Sequence, residues 1–325
     1  MRRREFITLV SGAAAAWPLA ARAQQTAKVS RVGILSPADS ETAATLTAFR
    51  QAIRDLGYIE GQTIALDFRL SKGIMGALPA LAAELVRIPV NVIVTDSTSG
   101  TLDAFAATRT IPIVMGASGG DPVALGLAKS LSQPGGNVTG TNFLAGLSDK
   151  RLQLLKQAFP GVKTVAVLTN PKDALSVSEQ RKAETGAAQI GIPLHSFAAS
   201  TPAELHALAP AALSGSDGFL VMPGAVFWNN RATIIELASK ARIPAIYPER
   251  EYADDGGLIA YGPNVPEHFR QAAGYVDRIL RGAKPGDLPI NASSKFDFVV
   301  NLRTARALGL TPSPDFISAA NEVIE

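Results

Sequence analysis

Apolar and polar positions follow two periods along the chain. Short β-branched runs are each followed by a longer stretch with apolar residues three and four apart, the spacing of an amphipathic helix. The run over 31–36 (RVGILS) reads as a buried strand. Behind Ser40, a candidate N-cap, Leu46, Phe49, Ile53 and Leu56 recur at helical spacing until Gly57 ends the helix. Further strands fall over 63–70, 91–95 and 111–115, with helices over 78–86 and 102–107. Such alternation builds parallel sheet from βαβ units.

The series then restarts. RVGILSP from Arg31 is echoed by TVAVLTNP from Thr164, VIVTDS from Val92 by FLVMPG from Phe219, and IPIVMGAS from Ile111 by IPAIYPER from Ile243. Each echo alone is weak, but three in order at an offset of about 130 residues point to one unit used twice. The expected fold is α/β, with two similar open parallel-sheet lobes and a hinge. The first lobe would hold 29–142 with 263–288, and the second 143–262 with 289–325. The chain would cross near Thr141, Gly262 and Pro289, with a helix over 266–281, a strand over 295–300 and a last helix over 302–308.

Of the 325 residues, 47% are apolar and 18% charged, as in a globular chain. The net charge of +3 sits in the first 23 residues, where Arg2, Arg3, Arg4 and Arg22 face Glu5. The near-neutral remainder offers no field for nucleic acid. The absence of cysteine excludes disulfides, thiolate chemistry and a lipid-modified N-terminal cysteine. A basic start, 16 uncharged residues between Glu5 and Arg22, and Ala21-Arg22-Ala23 read as a signal peptide over 1–23, with a mature start near Gln24. Arg3-Arg4-Glu5-Phe6-Ile7 looks like a twin-arginine motif with Thr8 in place of lysine; the general secretory route is the alternative. The expected location is the periplasm.

In open parallel sheets, ligands collect beyond the carboxyl ends of the strands, where helix N-termini present free N–H groups. In the first lobe those positions hold Ser36, then Asp96, Ser97 and Thr98, then Ala117, Ser118 and Asp121. In the second they hold Asn170, then Pro223 and Gly224, then Tyr247, Glu249 and Arg250. Ser97, Thr98 and Ser118 suit a carboxylate, although such residues also serve as plain N-caps. Tyr247, Phe227 and Trp228 offer aromatic surface and Glu249 an acceptor for an ammonium, although the aromatics also suit core packing.

Gly116 to Gly120 matches G-x-S-x-G after a strand, which raises a serine hydrolase built on Ser118. His195 falls in an expected strand, and His206 and His268 in expected helices, so a loop-borne base is missing. No dinucleotide or P-loop fingerprint and no metal-ligand spacing occurs, so no cofactor or metal is expected.

Seven segments resemble the family of ABC-transporter substrate-binding proteins that includes tryptophan- and tyrosine-binding members. They are AFRQAIRDLGYIEGQ (48–62), LPALAAELVR (78–87), IPIVMGASGGDPVALGL (111–127), QPGGNVTG (133–140), KRLQLLKQAFPGV (150–162), YGPNVPEHFRQAA (261–273) and VNLRTARALGL (300–310). The resemblance implies the type I periplasmic-binding-protein fold and no enzymatic activity. It also implies a small-molecule ligand, a partner permease in the inner membrane, and a monomer that binds no nucleic acid. By that analogy Ser97, Thr98 and Ser118 hold an amino-acid or aromatic carboxylate, and Asp121 or Glu249 meets an ammonium. With the other strand-end positions, the candidate ligand-binding set is Ser36, Ser97, Thr98, Ala117, Ser118, Asp121, Asn170, Pro223, Tyr247 and Glu249. Asp96 to Ser99 stands where many members carry a glycine-threonine pair, and 224–228 departs from an Asp-Pro-aromatic stretch, so these loops set the ligand. A membrane sensor's binding component is the alternative. A cytoplasmic regulator would need a DNA-binding helix-turn-helix where the export signal stands.

Overall fold

The computed structural model describes residues 29–143, 146–292 and 295–325; the expected signal over 1–23 lies outside the described residues. In chain order the first half runs β1 (Ser30–Ser36), α1 (Ala44–Asp55), β2 (Ile64–Leu70), α2 (Leu78–Arg87), β3 (Val92–Thr95), α3 (Thr98–Ala107), β4 (Ile113–Met115) and β5 (Val138–Asn142). The second half opens with α4 (Ser148–Ala158), β6 (Val165–Thr169), α5 (Ala174–Ile190), β7 (Leu194–Ala198) and α6 (Pro202–His206). It continues through β8 (Gly218–Val221), α7 (Ala225–Asn229), α8 (Arg231–Ala241), β9 (Ala245–Tyr247), α9 (Arg250–Asp254) and β10 (Ile259–Pro263). Then come α10 (Val265–Leu280), β11 (Asn291–Ala292), β12 (Phe296–Asn301), α11 (Leu302–Leu308), α12 (Pro314–Ser318) and β13 (Glu322–Ile324).

Two sheets result, ordered β11-β5-β4-β3-β1-β2 and β13-β12-β10-β9-β8-β6-β7. Read inward from the edge strands β2 and β7, β2-β1-β3-β4-β5 and β7-β6-β8-β9-β10 have the same order. The echoed segments are β1 with β6, β3 with β8, and β4 with β9. Every pairing is parallel except β10 with β12. Alternation explains how the first sheet is covered. Val32, Ile34, Val92 and Val94 face α1 and α10, while Leu35, Ile93, Ile113 and Met115 face α2 and α3. Gly33 lets α2 approach, since a β-carbon there would stand 2.9 Å from Leu85.

α10 follows a strand of the second sheet but packs on the first lobe. Phe269, Ala272, Ala273, Val276 and Ile279 form its buried stripe. Tyr58 donates to Asp277 at 3.0 Å and secures that helix to the loop after α1. The third crossing, expected near Pro289, comes after β11 instead. Thr139 donates to Leu288 O at 2.7 Å, Tyr275 donates to Pro289 O at 2.6 Å, and Asn291 and Ala292 pair with Thr141 and Asn142. Ser40 does not cap α1: the helix begins at Ala44, with Ala43 at the cap and no side-chain bond, and the Ser40 hydroxyl accepts from Thr42 N inside the preceding turn. Among the described residues no helix is long and apolar enough to cross a membrane.

Candidate ligand-binding cleft

Both strand orders reverse direction between the first and third strands of the unit, and a crevice opens there beyond the strand ends. Here the two crevices face each other across one cavity of about 710 Å³, its open mouth included. Seven strands contribute the residues just past their ends. β1 supplies Pro37 and Ala38, β3 supplies Asp96, Ser97 and Thr98, β4 supplies Ala117 and β5 supplies Phe143. From the other side β6 supplies Asp173 and Leu175, β8 supplies Pro223 and Gly224, β9 supplies Glu249, and Trp228 and Asn229 come from α7. A concave and mostly apolar lining with a few placed polar groups is that of a site for a small molecule.

On the first-lobe wall, Ser97 caps α3 by accepting from Gly100 N at 2.9 Å. Thr98 Oγ1 accepts from Gly119 N at 3.1 Å and Gly120 N at 3.3 Å, and lies 3.4 Å from Ser118 Oγ. With its lone pairs engaged, the Thr98 hydroxyl has a hydrogen to donate, the polarity a carboxylate needs. Asp96 stands beside this pair. Its Oδ2 accepts from Ser36 Oγ at 2.6 Å and from Thr45 Oγ1 at 3.5 Å. Burial pushes its carboxyl up to about 7, and those two hydroxyls act in the opposite direction.

The second-lobe wall is acidic and aromatic. Glu249 borders the cavity, keeps part of its surface toward it, and has a buried Oε2 without a hydrogen-bond partner. Burial pushes this carboxyl up to about 8; Arg151 lowers it, Glu251 raises it, and smaller effects of Arg231 and Asp173 oppose one another. Arg151 is itself engaged. Its Nη1 lies 3.4 Å from Glu179 Oε2 and 3.1 Å from Ser148 Oγ, and its Nε donates to Tyr261 O at 2.7 Å. A side chamber lined by Phe143, Leu175, Arg151, Glu179 and Glu249 joins this network to the cavity wall. Asp173 caps α5 by accepting from Leu175 N at 2.9 Å and Ser176 N at 3.3 Å. Burial raises the Asp173 carboxyl, offset by these bonds and one from Ala225 N.

Of the ten candidate residues, Ser97, Thr98, Ala117, Pro223 and Glu249 line the cavity. Ser36 and Ser118 stand one layer behind, bonded to Asp96 and beside Thr98. Asn170 is fully buried and turns the β6–α5 loop, its Oδ1 accepting from Lys172 N at 3.0 Å. Tyr247 is core, stacked on Tyr252 at 4.9 Å. Asp121 is exposed and accepts from Val123 N and Ala124 N at 2.9 and 3.3 Å. Phe227 is also core, whereas Trp228 reaches the cavity. Arg250 is spent on Glu322 and Asp254 at the surface. Phe143, Asp173 and Asn229 were absent from the candidates, although each follows a strand end or the turn after β8. Ser118 has Thr98 as its recorded side-chain partner; His268 has neither ring nitrogen hydrogen-bonded, and His195 lies in β7. Among the described residues no cluster of three or more His, Asp or Glu could hold a metal ion.

The lobes touch across the cavity. Asn229 Nδ2 donates to Pro37 O at 3.0 Å, the carbonyl that also accepts from Gly73 N at 2.8 Å. Gly119 of the first lobe lies so close to Leu175 of the second that a methyl group there would strike it.

The profile of the family described as ABC transporter substrate binding protein matches residues 32–324. A tyrosine-binding protein of Clostridioides difficile is 28% identical over 262 residues, 81% of this chain and 75% of that protein. A Streptococcus pneumoniae ABC domain solved in complex with L-Trp aligns over 91% of this chain and 100% of its own, with 23% identity and a TM-score of 0.83. The ligand-free, open structure of a Clostridium difficile substrate binding protein with adhesive properties aligns over 91% and 99%, at 27% identity and a TM-score of 0.64.

Proposed function

This chain belongs to the ABC transporter substrate-binding protein family, and from that premise we propose that it is the exported capture component of an importer. It closes two lobes over a small carboxylate-bearing molecule, an aromatic amino acid or related aromatic acid, and presents it as a monomer to an inner-membrane permease. The observation that carries this reading is the single cavity bounded by strand ends of both lobes, with hydroxyls and a helix start on one wall and Trp228 with Glu249 on the other. Ser97 and Thr98 meet the carboxylate, backed by Ser118 and Ser36. Trp228 and Phe143 flank an apolar or aromatic body, and Glu249 takes an amine if one is present. The tyrosine and tryptophan ligands of the relatives support an aromatic side chain.

Cross-lobe contacts at Asn229 and Gly119 support a closed arrangement, as does the lower score against an open chain despite 91% coverage. Closure of this kind is a hinge motion in which the ligand's contacts to both walls stabilise the shut form. The first 23 residues carry the features of an export leader.

Thermal unfolding against amino acids and aromatic acids tests the function. A ligand at a hundredfold above its Kd adds about 2.7 kcal/mol. A selective upward shift is the expected result, and a flat response across the panel would remove the aromatic-acid reading. Thr98→Val should then weaken the identified ligand by about tenfold or more, the worth of a charge-assisted hydrogen bond, and, because Gly119 N and Gly120 N lose their acceptor, should also lower the stability of the free protein by about 1–3 kcal/mol; Ser97→Ala, tested alongside, leaves those two bonds in place.

A further inference from the structure

Among the described residues other than glycine, only Lys72 and Arg242 hold a positive φ. Arg242 ends α8, a common place for it. Lys72 stands in the turn after β2, and Gly73 follows it, with φ of 51° and 78°. Two left-handed residues in a row, the first with a side chain that disfavours the conformation, are backbone strain that calls for a reason. The turn is tied at both ends. Ser71 N donates to Ser36 O and Ile74 N to Ser71 O, each at 2.9 Å. Its product is the direction of one N–H. Gly73 N donates at 2.8 Å to Pro37 O and so fixes a carbonyl of a residue that lines the cavity.

The same carbonyl accepts from the other lobe, where Asn229 Nδ2 lies 3.0 Å away. Both lone pairs of Pro37 O are then engaged. Asn229 is the last residue of α7, and the segment that carries it is braced. Asn230 Nδ2 donates to Val226 O at 2.8 Å, and Arg231 donates to Trp228 O at 3.1 Å while paired with Asp255 at 2.7 Å. Gly73 has a second part here, since a β-carbon on it would stand 3.3 Å from Asn229 Nδ2. We propose that Asn229 is a latch that holds part of the ligand-free protein closed, and that the kink at Lys72 and Gly73 presets the carbonyl it catches. The proposal rests on the two-lobed closure read above but on no ligand class. Opening leaves the Gly73 bond in place and returns the Asn229 amide to water. The latch therefore carries the net worth of one neutral hydrogen bond, about three- to tenfold in the closing equilibrium. The protein alone makes this bond, so every ligand gains the same factor. The latch raises affinity across the board and leaves selectivity to the cavity walls.

The test needs no ligand. The chain has no cysteine, so Ala80→Cys on α2 and Ala232→Cys on α8, both at exposed positions, accept a pair of spin labels without background. Pulsed dipolar spectroscopy of the ligand-free protein should resolve a short and a long distance. Asn229→Ala, and Asn229→Asp, which keeps the shape and loses the donor, should each lower the ratio of short to long by about three- to tenfold. Gly73→Ala should act in the same direction from outside the cavity lining. Combined with Asn229→Ala it should add little, because both changes remove one bond. A single long distance in the unaltered protein, or a ratio unmoved by both Asn229 variants, would overturn the latch. Full additivity of Gly73→Ala and Asn229→Ala would overturn the preset carbonyl. Either failure leaves the reading of the ligand class standing, since no ligand takes part.

Discussion

His268 shows how a single side chain in this fold can record acidity. It is 3% exposed, packs edge-to-face on Phe143 at 5.7 Å, and neither ring nitrogen has a partner. Burial pushes its imidazole down to about 4, opposed by Glu267. The unfolded chain, titrating near 6.5, therefore binds the extra proton first as pH falls. The stability of the neutral form is complete above about 6.5 and is lost progressively toward 4, at up to about 1.4 kcal/mol per pH unit. Urea unfolding at several pH values between 4 and 7 should show that slope, and His268→Phe, which keeps the ring and drops the titration, should flatten it. An unchanged slope in the variant would assign it to the carboxylates. Other residues differ from their sequence reading for equally local reasons. Tyr247 is the last residue of β9 and its side chain falls on the core face, while Asn170, just past β6, turns the loop behind the crevice.

At the scale of elements, Arg151 joins three of them. It reaches from α4 to Glu179 on α5 and to the Tyr261 carbonyl of β10, and is almost fully buried. Removing it leaves Glu179 without its cation beside Glu249, so Arg151→Ala should cost about 3–5 kcal/mol in chemical denaturation. Arg151→Met combined with Glu179→Gln should recover part of that, since the amide removes the uncompensated charge and keeps an acceptor for Leu147 N and Ser148 N, which donate to Glu179 Oε2 at 3.2 and 3.0 Å. The pattern of the chain reveals the elements themselves well. β1, β3 and β4 and their echoes β6, β8 and β9 appear as β-branched runs because buried parallel strands need such residues on both faces. The stripe from Phe269 to Ile279 likewise marks α10 as a covering helix. The network around Arg151 is invisible at this level. Its members are more than a hundred residues apart in places, and nothing local in KRLQLLKQ distinguishes a buried arginine from a surface one. The half of the candidate site that lines the cavity lies at strand ends; that Ser97 and Thr98 share one cavity with Trp228 and Glu249 required knowing which lobe walls face each other.

For the whole molecule the proposed closure is set at the lobe boundary, and Gly119 offers a way to jam it. A side chain there would meet Phe143 of the same wall and Leu175 across the lobe boundary. Gly119→Val should prop the lobes apart, so that a bound ligand no longer reduces the radius of gyration in small-angle scattering and its affinity falls by about tenfold or more. Native closure and affinity in that variant would place the pivot elsewhere. The three crossings between the sheets also govern how the protein is made. The first lobe lacks α10 and β11 until residue 292 has been added, and its Tyr58–Asp277 bond spans 219 positions. A nascent chain carrying β1 to β5 alone has one sheet face covered by α1 but not by α10, so the first lobe cannot finish folding ahead of the second during synthesis. Release of nearly the entire polypeptide comes first, and a holding chaperone has a defined surface to grip until then.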